Sequence, residues 1–235
     1  MNKQAILASI QKVREVSPKR NFEQTFDLVI NLKNINIKKQ EERVELYTHL
    51  HFPKGKKPKV CALVDKELIS KAKEIFNFVV SKDDFLKYKK DKKLIKKLAS
   101  SYDYFVAQAN LMADIASTFG KVFGPKGKMP SPKAGCVIPP NADLNAVIKN
   151  LGETSKLVTK NDSTIRTTVG LENMKDEEIL DNIQTIYTSL IHSLPQEKNN
   201  IKSFNLKLTM GPLIEITDQG PVIHNKKEKV GDKKK

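Results

Sequence analysis

The sequence has little cysteine and none of the short motifs that mark common active sites. Its two cysteines, Cys61 and Cys136, lie far apart and lack the paired spacing of a zinc site, so we expect both to be small buried hydrophobic residues. The four histidines form no HExxH pair, and no serine lies in a GxSxG segment. The sequence therefore predicts no catalytic residue, no metal ligand, no cofactor and no enzymatic activity.

Long hydrophobic runs are absent as well. The first helical pattern places apolar side chains at Ile6, Leu7, Ile10 and Val13, which differs from the uninterrupted apolar run of a signal peptide. No hydrophobic span, lipidation signal or basic amphipathic anchor is evident elsewhere. We therefore expect no membrane partner and a cytoplasmic location.

Positive charge is what the chain has in excess. It has 42 Lys and Arg against 27 Asp and Glu, a formal net charge of +15 on 235 residues. Such an excess needs a polyanion or a counterion cloud, and nucleic acid is the polyanion that remains once a membrane is disfavoured. Residues 225–235 contain a single apolar residue, Val230, and are predicted to be a disordered basic tail. The lysine run 87–97 is expected to be a helix with a solvated face, which is favoured over a dedicated RNA surface.

Hydrophobic periodicity divides the rest of the chain into regions of two kinds. One kind has alternating strand patterns, and in the other short apolar runs alternate with helical patterns. Alternating apolar residues predict half-buried strands over 26–32 and 44–50, which we expect to pair as antiparallel neighbours. Residues 51–59 combine two prolines, one glycine and four lysines, and so predict a solvated connection. From Val60 onward, short apolar runs alternate with helical patterns, which favours a small parallel sheet covered by helices.

The second half of the chain returns to alternating strand patterns. A helix of the alternating region is expected to end at Gly120, in a loop that runs to Pro140, and one more helix is expected over about residues 142–151. Strand alternation resumes past Gly152, a long amphipathic helix is predicted to begin with Asp176 as its N-cap, and strands close the fold by Thr217.

The fold class that these patterns predict is a two-domain mixture of α+β and α/β structure. An α+β domain is made from both termini, residues 1–58 and 153–224, and a Rossmann-like α/β domain is inserted at residues 59–152. The segment 225–235 is the basic tail described above.

The loop GKVFGPKGKMPSP, residues 120–132, suggests phosphate binding but lacks the spacing of a P-loop. Its three lysines among glycines and prolines can still contact a nucleic-acid backbone through charge and exposed amides. The sequence therefore predicts a secondary RNA contact at Lys121, Lys126, Gly127 and Lys128.

Two further stretches place polar and apolar residues where the edge of a sheet can contact RNA. They are PKRNFEQTFDL, residues 18–28, and KSFNLKLTMGP, residues 202–212. In the second stretch, Gly211 follows a strand end, where the lack of a side chain lets another backbone approach closely.

Three motifs carry a resemblance to a known family. The segments RNFEQTFDLVINLKNINIKKQEER, GKVFGPKGKMPSPKAG and KLTMGP, in this order and spacing, resemble the universal ribosomal protein that forms the mobile lateral stalk of the large subunit, protein one of that subunit. The resemblance extends over about residues 1–217. GPKGKMP and KKLIKKLASSYDYFVAQANLM are most similar to the archaeal form of the family.

The resemblance implies a ribosomal RNA site on the sheet of the first domain. Threonine and serine hydroxyls and a bare glycine backbone would hydrogen-bond to the RNA, and apolar side chains would exclude water from those bonds. The residues that match the site of the family are Phe22, Thr25, Ser203, Thr209, Met210 and Gly211, with Arg20, Asn21 and Lys207 as weaker additions.

The resemblance also implies partners and a role. It implies a structural protein of the large ribosomal subunit that binds 23S-type ribosomal RNA, is monomeric when free, and moves on hinges near residues 53–58 and 150–154. The family implies that the stalk assists release of deacylated transfer RNA from the E site. It further implies repression of translation through binding to the protein's own messenger RNA.

Two alternatives remain from the sequence. A nucleotide-dependent enzyme could use the inserted domain, but Asp65 and Lys66 stand where a GxGxxG turn would follow the strand at residues 60–64. A non-ribosomal RNA chaperone of the same fold would bind many RNAs with little preference.

Overall fold

The computed structural model describes residues 2–36, 39, 42–55, 57–140, 142–159 and 162–223. The predicted tail 225–235 lies outside these residues. The helices are α1 Lys3–Val16, α2 Ile69–Ile75, α3 Phe85–Lys90, α4 Lys92–Ser101, α5 Met112–Lys126, α6 Leu144–Glu153 and α7 Asp176–Ser193. The strands are β1 Thr25–Leu32, β2 Glu45–His49, β3 Val60–Val64, β4 Phe78–Ser81, β5 Tyr104–Gln108, β6 Val137–Ile138, β7 Thr154–Val158, β8 Thr164–Leu171, β9 Ile201–Leu208, β10 Ile214–Thr217 and β11 Gly220–Ile223.

The chain forms two compact units. The first joins the chain up to Gly55 with the chain from Ser155 onward, and the second is the segment between them. Antiparallel pairing characterises the large sheet of the first unit and parallel pairing the sheet of the second. The predicted fold class, a two-domain combination of α+β and α/β structure, is confirmed. Among the described residues, no helix is long and apolar enough to span a membrane.

The first unit is built on a five-stranded sheet in the order β11-β10-β9-β1-β8. Strand β1 alternates strictly between buried and half-buried residues, so Phe26, Leu28 and Ile30 all point into one core and are fully buried. Helix α1 packs on the β9–β11 end of the sheet, and α7 packs on β8 and on the separate β2–β7 pair. Both helices bury their apolar stripes against the same face of the sheet, which leaves the opposite face without a helix from this unit.

The expected pairing of the first two strands is wrong. Strand β1 is bonded on one side to β8 and on the other to β9, over seven register positions each, so no edge of β1 is free for β2. Strand β2 pairs with β7 instead. Neighbouring strands in sequence are frequent partners, but β8 and β9 match the eight-residue length of β1 and the five-residue β2 does not. Strand β11 was not predicted.

The second unit has a parallel sheet in the order β4-β3-β5-β6. All five residues of β3 are buried, as expected for a strand covered on both faces. Helices α3, α4 and α5 contact one another on one side of the sheet, and α2 contacts α6. An aromatic cluster fills the core beneath α5, where the ring centroids of Phe105 and Phe123 are 4.2 Å apart.

Helix α5 continues past its predicted end at Gly120 to Lys126, so that boundary is wrong. Phe119 and Phe123 are both fully buried and lie one turn apart, so the helical apolar face extends beyond the glycine. Pro125 is tolerated in the last turn, where it removes a single backbone bond. The helix ends at Gly127, whose φ of 64° is left-handed and favours glycine.

The start of α7 also differs from the prediction. Asp176 is the first helical residue, and Lys175 occupies the N-cap position. The backbone N–H of Lys175 donates to the Glu178 carboxylate at 3.4 Å, and Asp176 accepts from Arg14 Nε of α1 at 2.9 Å. The acidic first turn therefore both favours the helix N-terminus and links α7 to α1.

Candidate nucleic-acid interface

The sheet of the first unit has one polar face. Because successive residues of a strand point to opposite sides, β1, β8 and β9 direct a second set of side chains away from the core. Register places Asp27 beside Lys207 on β9 and beside Thr168 on β8. We call this surface the open face; it comprises Thr25, Asp27, Val29, Asn31, Thr164, Arg166, Thr168, Ser203, Asn205, Lys207 and Thr209.

A pair of threonines closes one end of the open face. The N–H of Thr25 donates to Oγ1 of Thr209 at 3.1 Å, and the N–H of Thr209 donates to the carbonyl of Thr25 at 3.1 Å. Their two hydroxyl oxygens are 3.0 Å apart. These bonds fix the end of β9 against the start of β1 and leave the Thr209 side chain exposed.

A second polar group lies toward the other end of the same strands. Oγ of Ser203 accepts from the amide of Asn31 at 2.8 Å and from the amide of Asn205 at 2.9 Å. Thr164 donates to the other amide atom, Oδ1 of Asn31, at 3.0 Å. Since a hydroxyl oxygen has two lone pairs and both are engaged here, the hydroxyl hydrogen of Ser203 is directed elsewhere, as a donor for a ligand.

Charges of both signs lie between these two groups. Asp27 Oδ1 accepts from the hydroxyls of Thr25 and Thr168, each at 3.2 Å. Lys207 lies opposite Asp27 in register, and its ammonium donates to the Thr209 carbonyl at 3.2 Å. The open face is therefore a network of hydrogen-bonding groups with one anion, Asp27, and two cations, Arg166 and Lys207, rather than a uniformly basic surface.

Gln24 connects the end of the open face to the loop before β1. Its side chain is fully buried; Nε2 donates to the Pro18 carbonyl at 3.1 Å, and Oε1 accepts from the Met210 N–H at 3.2 Å. The Gln24 carbonyl accepts from the Glu172 N–H at 2.9 Å. One amide side chain thus fixes the turn after β9 relative to the loop that precedes β1.

Apolar side chains flank this turn. Phe22 is 53% exposed and Met210 is 55% exposed, which is unusual for side chains of this size. Gly211 is enclosed by contrast, since a Cβ built on it would lie 2.3 Å from Oγ of Ser17. The absence of a side chain at residue 211 therefore has a packing reason within the protein, and its use in close approach to RNA stays a prediction.

The structure brings most of the predicted RNA-binding residues together. Thr25, Ser203, Lys207 and Thr209 lie on the open face, and Met210 and Gly211 form the turn that follows. The remaining three precede β1 and are exposed: Arg20, Asn21 and Phe22.

Sequence reasoning missed several polar members of the open face. Polar residues at alternate positions of TFDLVINL and TIRTT indicate that each strand has one polar side. The sequence does not show that these polar sides form one surface, because this requires β8 to lie beside β1. The missed residues are Asp27, Asn31, Thr164, Arg166, Thr168 and Asn205.

The predicted secondary contact is only partly a loop. Lys121 and Lys126 belong to α5, and Gly127 ends that helix. The ammonium of Lys126 donates to Ser100 Oγ at 2.9 Å, and that of Lys128 donates to the Tyr102 carbonyl at 2.5 Å. These two charges therefore stabilise the C-terminal end of α4, which favours nearby cations.

Reactive groups outside the open face are few. Cys61 and Cys136 are both buried, as predicted, and burial raises the pKa of the Cys61 thiol to about 12. Nδ1 of His51 lies 2.6 Å from the Asp181 carboxylate at an exposed position. No group of His, Cys, Asp or Glu suited to a metal ion occurs in the part of the chain that the structure describes.

Comparison with known families agrees with the motifs. Residues 12–212 match the family described as "Ribosomal protein L1p/L10e family". The chain belongs to this family. Its similarity to the ribosomal L1 family therefore extends over most of its length, including β1, the α5 region and the turn after β9.

Curated members of the ribosomal L1 family resemble the chain over most of its length. "Large ribosomal subunit protein uL1" of Nanoarchaeum equitans is 39% identical over 211 residues, which are 88% of this chain and 97% of that protein. The proteins of the same name in Methanothermococcus thermolithotrophicus and Thermoplasma acidophilum are 34% and 35% identical over 216 residues, 92% of this chain and 99% and 97% of theirs. The predicted archaeal-like form is confirmed, and so is the prediction that the chain is not an enzyme, because this family is structural.

Proposed function

We propose that the chain is a structural protein of the large ribosomal subunit and binds ribosomal RNA of that subunit through the open face. The observation that carries the proposal is the paired Thr25 and Thr209 beside two exposed apolar side chains, Phe22 and Met210. Membership of the ribosomal L1 family, whose relatives are named for the large subunit, supports the choice of RNA.

The chemistry of the open face favours recognition of RNA by hydrogen bonds. Residues 1–55 and 155–223 contain 17 Lys and Arg against 15 Asp and Glu, so bulk charge contributes little attraction in this part of the unit. Ser203 offers a hydroxyl donor. The Asp27 carboxylate only accepts hydrogen bonds, so this carboxylate suits a ribose 2′-hydroxyl or a base amino group and repels phosphate. Ribose hydroxyls distinguish RNA from DNA, and folded RNA displays them in its wide minor groove.

The finer roles belong to the same proposal. The α+β domain, residues 1–58 and 153–224, binds the RNA, residues 59–152 form the inserted domain, and the protein forms the mobile lateral stalk of the subunit. The stalk assists release of deacylated transfer RNA from the E site, with a secondary contact at Lys121, Lys126, Gly127 and Lys128. Binding of the same open face to the protein's own messenger RNA would repress translation. Family membership supports these roles.

Binding to two RNAs of equal length tests the proposal. One is the large-subunit stalk RNA fragment and the other a scrambled version, each measured by filter binding at several salt concentrations. Thr209→Ala and Met210→Ala are expected to weaken binding to the stalk RNA about tenfold or more each, by losing about 1–3 kcal/mol of hydrogen bonding or apolar contact.

Two matched variants control for the loss of a hydroxyl and for the loss of an exposed apolar side chain elsewhere in the chain. Thr185→Ala removes a hydroxyl from α7 on the covered side of the sheet, and Leu86→Ala removes an exposed apolar side chain from the second unit. Both are expected to bind like the unmodified protein. Equal affinity for the two RNAs, with no effect of Thr209→Ala or Met210→Ala, would reduce the interaction to nonspecific charge and refute the site.

A further inference from the structure

Positive charge is distributed unevenly between the two units. Residues 56–154 contain 19 Lys and Arg against 10 Asp and Glu, whereas residues 1–55 and 155–223 of the unit with the open face contain 17 against 15, and residues 224–235 add six lysines and two acidic residues. Helix α4 and the residues just before it contribute most, with seven lysines and one aspartate between residues 87 and 97. Outside residues 224–235, most of the excess positive charge therefore belongs to the second unit rather than to the unit that carries the open face.

Core packing directs the α4 lysines outward. Ile95, Leu98 and Ala99 are 2%, 7% and 0% exposed and fix one side of the helix against the sheet. Exposed lysines at 93, 96 and 97 have the i, i+3, i+4 spacing that places side chains together on the other side. Ile95, Leu98 and Ala99 lie in the core and Leu94 is 45% exposed, so α4 presents too little apolar surface to insert into a membrane.

A fourth ammonium joins this side of α4 from α5. Lys126 Nζ lies 2.9 Å from Oγ of Ser100, which is two turns beyond Lys93 on the same side of α4. We call the four side chains Lys93, Lys96, Lys97 and Lys126 the α4 lysine face. Within the described residues none of the four pairs with a carboxylate; the ion pairs of this unit are Lys66–Asp83, Lys82–Asp114 and Lys87–Asp84.

We propose that the α4 lysine face is a second RNA-binding surface, which contacts the phosphate backbone without distinguishing base sequence. The inference rests on the proposed function, since RNA bound at the open face is held on the same polypeptide chain as the second unit. A weak second site on the same chain gains affinity when the bound RNA reaches it, because the second contact is then intramolecular. Unpaired, clustered lysines are the side chains that release counterions on meeting phosphates.

A triple variant that removes three positive charges tests the inference in the full-length chain. Lys93→Gln, Lys96→Gln and Lys97→Gln together remove three charges and keep good helix formers on α4. The matched control is Lys71→Gln, Lys73→Gln and Lys149→Gln, which removes three exposed lysines from α2 and α6 in the same unit. Far-UV circular dichroism checks that both triples are folded.

The readout is the slope of log affinity against log salt for the stalk RNA and its scrambled version. The α4 triple is expected to lower the slope by about 2 to 3 and to weaken binding to both RNAs about ten- to hundredfold at 0.1 M salt. The single variant Lys97→Gln is expected to lower the slope by about 1. The control triple changes the slope by less than the single variant, and the preference for the stalk RNA is unchanged in all of them.

Three results would overturn the proposal. One is an unchanged slope, and another is an equal loss of slope in the control triple. The third concerns poly-glutamate as an alternative polyanion. If the α4 triple loses binding to poly-glutamate while its RNA binding is unchanged, the α4 lysine face binds an acidic protein rather than RNA. Failure of the proposed function is seen separately: the unmodified protein then shows no preference between the RNAs, while the slope on scrambled RNA still reports on the lysines.

Discussion

Replacement of Gly211 by alanine tests how the turn after β9 is set against the end of α1. A Cβ at residue 211 would lie 2.3 Å from Oγ and 3.2 Å from Cβ of Ser17, so the turn or the helix end must shift. Ser17 is buried at the C-cap of α1 and its backbone N–H bonds to Val13, which leaves little freedom for adjustment. Overpacking of this kind costs about 1–3 kcal/mol.

The second step is a rescue by Ser17→Ala. This variant removes the atom at 2.3 Å and leaves the Cβ at 3.2 Å, a contact that a shift of a few tenths of an ångström relieves. The Ser17 hydroxyl is buried without a partner among the described residues, so its removal alone is expected to be neutral or to stabilise by up to about 1 kcal/mol. The double variant should therefore recover at least about 1 kcal/mol of the loss.

Hydrogen–deuterium exchange resolved by peptide measures the effect, because it separates α1 and β9 from the second unit. The control is Gly152→Ala in α6, where a Cβ meets no atom within 4 Å, and a gain of about 0.5–1 kcal/mol is expected. Wild-type protection of α1 and β9 in Gly211→Ala would refute the reasoning. A loss that Ser17→Ala does not relieve would refute it too.

Three further predictions follow from buried contacts. Gln24→Leu leaves the Met210 N–H and the Pro18 carbonyl unpaired, so the affinity for the stalk RNA should fall about tenfold. In Gln24→Glu the affinity should recover relative to wild type as pH falls from 8 to 5, since a protonated carboxyl both donates and accepts hydrogen bonds. A ratio of variant to wild-type affinity that does not change with pH would contradict this. Ile183→Ala should cost about 2–5 kcal/mol in urea unfolding, and a loss below about 1 kcal/mol would contradict its place in the core. Cys61, with its pKa raised to about 12 by burial, should resist a thiol-disulfide reagent at pH 8 until urea unfolds the chain, and rapid native labelling at Cys61 would contradict its burial.

Local patterns were sufficient for elements whose burial is periodic. The alternation of β1 follows from Phe26, Leu28 and Ile30 at every second position, and the fully apolar β3 predicts a strand covered on both faces. The motif residues Thr25 and Thr209 were candidates from the sequence, and the fold places their hydroxyls 3.0 Å apart.

The motifs failed where a continuing core outweighed a local signal. Gly120 is a plausible helix end by itself, but Phe123 is fully buried against Phe105, and that burial carries α5 through Pro125. Propensity is a weak term compared with the burial of an aromatic side chain.

The amino-acid sequence by itself determined which side of the periodic strands and helices faces a core, the parallel sheet of the inserted unit, and the family to which the protein belongs. Periodicity and motifs are local properties of the chain, so they can be read without the fold. Tertiary structure alone decided that β1 lies between β8 and β9, that Gln24 connects the loop before β1 to the turn at Met210, and that Ser17 excludes a side chain at Gly211. Such contacts join residues more than a hundred positions apart, and only the packing of the whole unit selects them.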